Sequence, residues 1–85
     1  MIVNVYSIFD NKSKIFSQPW VAINDAVAIR SFSGFANDPG SQICRNAEDF
    51  SLHRLCTFDD NLGTFNDESG IENLGLAAAF REVQA

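Results

Sequence analysis

Ile23-Asn24-Asp25-Ala26-Val27-Ala28-Ile29-Arg30-Ser31-Phe32-Ser33-Gly34-Phe35-Ala36-Asn37-Asp38-Pro39-Gly40 is the stretch whose reading decides the fold. Ala26, Ile29, Phe32 and Ala36 recur at helical spacing, and Ala28, Phe32 and Phe35 widen that apolar stripe. Asn24 is placed to cap the first turn with its side-chain oxygen, and Asp25 just inside it suits the positive end of the helix dipole. Gly34 weakens the pattern near its end, and Asn37-Asp38-Pro39-Gly40 stops the helix.

On the N-terminal side, residues 2–9 alternate imperfectly and are rich in β-branched and aromatic side chains, which predicts a strand. Asp10-Asn11-Lys12-Ser13 is turn chemistry, since Asp and Asn bond their own backbone and tolerate the left-handed region. Residues 14–18 return as a second strand. Pro19 lacks the amide a ladder needs, so pairing should loosen there, and Trp20 is expected to staple the hairpin to the helix.

On the C-terminal side, residues 41–48 are polar, with room for one helical turn around Ile43 and Cys44. Residues 50–58 predict a third strand, Asp59-Asp60-Asn61-Leu62-Gly63 a turn, and residues 64–66 a fourth strand. Ser69 and Glu72 match a capping box ahead of residues 73–80, a short helix or helical turn. The expected architecture is therefore α+β. Two antiparallel β-hairpins form a small sheet, with one longer helix between them and a short C-terminal helical element.

The two halves echo each other. Phe9, Asp10, Phe16, Asn24 and Ala28 match Phe58, Asp59, Phe65, Asn73 and Ala77 at a constant offset of 49 positions. A strand-turn-strand-helix unit occurring twice, over 2–36 and 51–85, accounts for this. So does turn chemistry alone, which imposes similar residues on any two similar hairpins.

The 85 residues make one domain with a thin core, a size at which oligomerisation often helps. Eight Phe and 46% hydrophobic residues indicate a folded chain. No run of ~18 apolar residues is present, so no transmembrane helix is expected. The start lacks the basic region and apolar stretch of a signal peptide. Cys44 and Cys56 have no metal-ligand spacing and are expected to be free thiols in a reducing compartment. The formal net charge of −5 opposes tight binding to duplex DNA, which rests on Lys and Arg neutralising phosphates. Any nucleic-acid site must be local or assembled across subunits.

Alternation places Val3, Val5, Ser7 and Phe9 on one face of the first strand, and Phe50, Leu52, Arg54, Cys56 and Phe58 on one face of the third. These are expected to meet the helix through Ile29 and Phe32. Arg54 fits such a core poorly, which predicts a bulge or an edge near it. The opposite face would carry Asn4, Tyr6, Ile8, Ser51, His53, Leu55 and Thr57. It is too apolar for idle exposure. Tyr6, Ile8, His53 and Leu55 are the candidates for self-association, a two-fold dimer being favoured. The competing use is a base-stacking platform centred on Tyr6, with Lys12, Lys14, Arg45 and Arg54 as phosphate contacts.

Catalysis is not expected. His53 is the only histidine, and spacing on a regular strand puts it on the face opposite Cys56. The carboxylate pairs at Asp59-Asp60 and Asp67-Glu68 sit in turns, and no phosphate-cradling glycine loop is visible. No cofactor or metal is expected.

Five segments in this order resemble the small nonstructural protein of gokushoviruses, single-stranded DNA phages of the Microviridae. They are Tyr6-Ser7-Ile8-Phe9-Asp10, Asn24-Asp25-Ala26-Val27-Ala28-Ile29-Arg30, Asn37-Asp38-Pro39, Glu48-Asp49-Phe50-Ser51-Leu52 and Leu74-Gly75-Leu76-Ala77. The resemblance spans nearly the whole chain. It implies a protein of the host bacterial cytoplasm that assists single-stranded genome replication or its coupling to packaging, by weak single-stranded DNA binding as an oligomer. The alternative is an acidic interaction protein that binds a host or phage replication factor without touching nucleic acid.

Overall fold

The computed structural model describes residues 1–81. The elements run β1 (Ile2–Asp10), β2 (Ile15–Phe16), β3 (Trp20–Ala22), α1 (Asp25–Ala36), α2 (Gln42–Arg45), β4 (Phe50–Asp59), β5 (Thr64–Asn66) and β6 (Glu72–Leu76), then a 3₁₀ turn (Ala77–Phe80). β1 and β4 pair antiparallel along their whole length at the centre of the sheet. Each edge is a strand broken in two. β2 and β3 both pair with β1, and β5 and β6 both pair with β4. The α+β architecture of hairpins, one main helix and a short C-terminal helical element stands as expected.

The local chemistry explains the boundaries. Asn24 Oδ1 accepts from the Val27 amide at 3.0 Å and starts α1. At the other end the Asn37 side-chain amide donates to Ser33 O at 2.8 Å and to Phe80 O at 3.0 Å, tying the stopped helix to the 3₁₀ turn. Ser41 caps α2 in the same way, with its Oγ accepting from the Ile43 amide at 3.1 Å. Ile43 and Cys44 do sit in that turn of helix.

One expectation holds and one fails. Pairing does loosen around Pro19, at residues 17–19, and then resumes as a further strand, β3 (Trp20–Ala22), against Val5 and its neighbours. Glu72–Leu76 is also a strand, where a helix was expected from residue 73. The capping box at Ser69 is not used, because Gly70 turns the chain at φ 74° and Glu72 pairs with Arg54. Gly75, at φ 135°, is needed here, since a Cβ would sit 3.1 Å from the Phe80 ring.

The sheet faces also differ from expectation. The register shifts between Val5 and Tyr6, because Cys56 pairs with Val5 and Arg54 with Tyr6, leaving Leu55 as a bulge. A bulge beside Arg54 was expected, and it divides β4. Phe50, Leu52 and Arg54 face the helices, whereas Cys56 and Phe58 face away with Ser51 and His53. On β1 the helix-covered residues are Tyr6 and Ile8, not Val3, Val5, Ser7 and Phe9. Tyr6, Ile8 and Leu52 join Ala22, Ala28, Phe32, Ala36, Ala47 and Ala77 in one core, with Trp20, Ile43, Phe50 and Phe80 packed around it. Both faces of β1 are half apolar, so alternation alone could not choose between them. Phe32, fully buried, anchors α1 to the sheet as the helical stripe requires.

Candidate nucleic-acid interface

The predicted site residues separate into three places. Lys12, Lys14 and Arg45 lie near one end of the sheet. Asp10 organises the first turn there, its Oδ1 accepting from the Lys12 amide at 2.9 Å and the Ser13 amide at 3.4 Å. Those amides hold the Asp10 carboxyl below the usual carboxylate range. Lys14 closes the turn in the left-handed region at φ 64°, its amide donating to Asp10 O at 2.8 Å. Asn11 then donates its backbone amide at 2.7 Å and its side-chain amide at 3.0 Å to Asp49 O. That link ties the lysine turn to the segment following α2, whose last turn holds Arg45. The three cations are exposed, and none forms an ion pair among the described residues.

Between this turn and α2 lies a groove of about 400 Å³. Ile8, Ile15, Phe16, Ile43 and Phe50 line it, the hydroxyl-bearing Ser13, Ser17 and Ser41 edge it, and Asp10 and Gln42 complete it. A second hollow of about 410 Å³ continues past Ser17, between Trp20 and Phe35. Apolar walls edged by hydroxyls can take a nucleobase, with any phosphate held outside by the lysines of the turn and away from Asp10.

Arg54 and Tyr6 belong elsewhere. Arg54 bridges Asp25 on α1 and Glu72 on β6, and Asp25 also accepts from the Tyr6 hydroxyl at 2.6 Å. Burial, with the hydrogen bond to Asp25, pushes the Tyr6 phenol up to about 12. The same hydrogen bond and the Arg54 guanidinium hold Asp25 below the usual carboxylate range. This network fastens the start of α1 to β1, β4 and β6. The expectation that Tyr6 offers a stacking plane and Arg54 a phosphate contact is corrected: Tyr6 has no exposed surface, and two carboxylates occupy Arg54.

The self-association set is not brought together either. Tyr6 and Ile8 are under the helices, Leu55 is the bulge residue, and only His53 faces the uncovered side. Aromatic rings missed in the sequence accompany it. Phe9 and Phe16 pair at 4.6 Å and meet the His53 ring edge-on at 5.8 and 5.4 Å. Phe58 and Phe65 form the equivalent pair at 4.9 Å in the second hairpin. The signal for both pairs was the repeated Phe-Asp…Phe spacing. His53 Nε2 shares a hydrogen bond of 2.9 Å with Ser51 Oγ, its buried Nδ1 has no partner among the described residues, and burial lowers its pKa. The bulge brings Cys56 to the same face as His53, contrary to expectation. Its thiol is pushed up, by burial first and then by the charge of Asp67, so it is a poor nucleophile. Cys44 and Cys56 are both free. Among the described residues no three metal-ligating side chains gather, and no helix is long and apolar enough to cross a membrane.

Comparison with known families gives one match, over residues 3–80, to the family described as Phage ORF5 protein. No curated protein and no solved structure matches.

Proposed function

The chain belongs to the Phage ORF5 protein family, and from that premise we propose that it is a nonstructural protein of a gokushovirus, a single-stranded DNA phage of the Microviridae. It works in the host bacterial cytoplasm, assisting genome replication or its coupling to packaging, through weak binding to single-stranded DNA. The supporting observation is that exposed Lys12 and Lys14 flank Ser13 in the chain, and exposed Arg45 follows Ile43 by two residues, where Ser13 and Ile43 line the apolar groove. Among the candidate phosphate contacts these three form no ion pair with the described residues, and the groove next to their turn suits a base.

Three phosphates neutralised on a single strand give a logarithmic salt slope of about 2, shallow beside that of dedicated DNA-binding proteins. Fluorescence anisotropy with a labelled oligothymidine strand should therefore show binding at ~50 mM salt that weakens strongly by ~200 mM. Lys12→Glu combined with Lys14→Glu should abolish it, and Tyr6→Phe should leave it unchanged. No binding of the parent protein at the lower salt overturns the reading.

A second reading has its own support. Asp59, Asp60, Asp67, Glu68 and Glu72 follow one another with no Lys or Arg among them. An acidic surface of that kind suits a cationic partner, such as a host or phage replication factor, with no nucleic acid contacted. Failure of the anisotropy experiment favours this alternative.

A further inference from the structure

The sheet face turned away from the helices is a surface whose chemistry does not suit solvent. Phe9, Phe16, His53, Cys56, Phe58 and Phe65 lie on it, and Phe16 and Phe65 are 41% and 68% exposed. No strand residue on this face is Lys, Arg, Asp or Glu, although 20% of the chain is charged. Depletion of charge at the centre with aromatic enrichment is the composition of a protein interface core. A nine-residue strand rises ~30 Å, and four strand positions span ~19 Å, so the face measures on the order of 600 Å² in flat projection. Side-chain relief adds to that, bringing it near the ~800 Å² per partner of a standard interface.

The charge lies at the two ends of this face, and the ends differ in sign. Ile2 pairs with Asp59 and Asp10 with Phe50, so the two hairpin turns are at opposite ends of a molecule 46 Å long. The first carries Lys12 and Lys14. The second carries Asp59 and Asp60, of which Asp60 is paired with the Met1 ammonium at 2.7 Å. Asp67 and Glu68 follow Asn66, which pairs with Thr57, so they lie farther along the edge, nearer the middle of the sheet.

We propose that this uncharged face binds a second copy of the chain, two sheets stacking face to face about a two-fold axis that lies between them and across the strands. That axis sets the lysine turn of each copy over the acidic hairpin of the other. It also sets the Phe9–Phe16 pair over the partner's Phe58–Phe65 pair. A two-fold axis along the strands would instead put lysines on lysines and carboxylates on carboxylates. The contact is isologous, so it closes at two subunits. The groove beside α2 opens through Ile8, Ile43 and Phe50 on the other side of the sheet, and Phe16, at the sheet edge, borders both the groove and the face.

The test uses the whole chain without nucleic acid, so it is independent of DNA binding. Light scattering at ~100 µM, well above micromolar affinity, should give twice the chain mass of 9.4 kDa. Phe65→Asp should give the single mass. Lys12→Glu with Lys14→Glu should weaken association at least tenfold. Adding Asp60→Lys and Asn61→Lys, both exposed in the second turn, to that variant should restore it, because a chain with both ends reversed is again complementary to itself. On the unmodified protein, alkylation of Cys56 should slow several-fold between ~1 and ~100 µM, the range that spans micromolar association, while that of Cys44 does not. This labelling result decides the matter if Phe65→Asp fails to fold. A monomer at ~100 µM, or a dimer that survives a folded Phe65→Asp, overturns the proposal. Failure of the four-fold charge exchange to rescue overturns the orientation. Protection of Cys56 only when a single strand is added would make the face a nucleic-acid platform and also overturns it.

Discussion

The two hairpins have the same turn and part ways immediately after it. In each, an aspartate accepts from the amides two and three residues ahead, at 2.9 and 3.4 Å for Asp10 and at 2.9 and 3.3 Å for Asp59. In each, the residue four ahead is left-handed and returns its amide to that aspartate's carbonyl, Lys14 at φ 64° and Gly63 at φ 69°. Phe9 faces Phe16 as Phe58 faces Phe65. Beyond the matched strands the first hairpin closes its break with Ser17. Ser17 O accepts from the buried Ser7 hydroxyl at 2.7 Å, and Ser17 Oγ accepts from the Ile8 amide at 3.0 Å. Asn24 then launches a 12-residue helix. The second hairpin spends residues 67–71 on an exposed turn, enters β6 and ends in four residues of 3₁₀ turn. Asn73, the sequence counterpart of Asn24, lies in a strand and caps nothing; its Oδ1 accepts from the Gly75 amide. Identical turn chemistry therefore sets a hairpin and leaves the next element undetermined.

The largest test of that contrast is in the helical elements. Phe32→Ala should cost about 3–5 kcal/mol, the range for truncating a buried Phe. Phe80→Ala, on the 3₁₀ turn that meets Phe32 edge-on at 5.9 Å, should cost distinctly less, because Phe80 is only partly buried. Urea denaturation of both variants measures the difference, and equal losses would mean the two elements carry the core equally.

A smaller effect probes the turns. A left-handed conformation costs a non-glycine residue ~1–2 kcal/mol. Gly63→Lys should destabilise by about that amount, and Lys14→Gly should stabilise by somewhat less, because the added unfolded-state freedom of glycine offsets part of the gain. If thermal melts show neither change, the turns are not equivalent.

The smallest effect is one of pH. Burial lowers the His53 pKa from 6.5, so the unfolded chain binds the proton more readily than the folded one. The stability His53 contributes as a neutral ring is complete above about 6.5 and is lost as pH falls below it. Asp25 and Asp10, whose pKa values are lowered from 3.8, contribute above that value and lose their share as pH falls through the lower range. Denaturation midpoints between pH 8 and pH 5 should thus decline in the parent and flatten in His53→Gln. The second hairpin has no counterpart to this ring, so an unchanged slope in the variant would locate the titration elsewhere.

Much of this arrangement was legible in the residues. Asn24, the stripe through Phe32 and the Asn37-Asp38-Pro39 stop are local signals, and local signals gave the helix and both hairpin turns. The features that escaped depend on distant partners. Glu72–Leu76 has the composition of a helix start and becomes a strand because β4 offers an open edge. The covered face of β1 was misjudged because Val3, Val5 and Phe9 are as apolar as Tyr6 and Ile8. The choice is made by Asp25 and Arg54, which lock onto the Tyr6 side. Of the candidate site, Lys12, Lys14 and Arg45 were found as exposed cations, but the groove between them needs α2 folded back on the first turn. The exposed rings Phe16 and Phe65 were hidden in short strands whose facing only the register reveals.

Both edges of the sheet are interrupted, by residues 17–19 on one side and residues 67–71 on the other. No edge segment exceeds the five residues of β6, and β2 has two. A sheet extended sideways by a neighbour needs a long, flat run of free amides and carbonyls, and neither border provides one. Short, interrupted borders of this kind disfavour the open-ended strand pairing that leads to fibrils, even in a chain with eight phenylalanines.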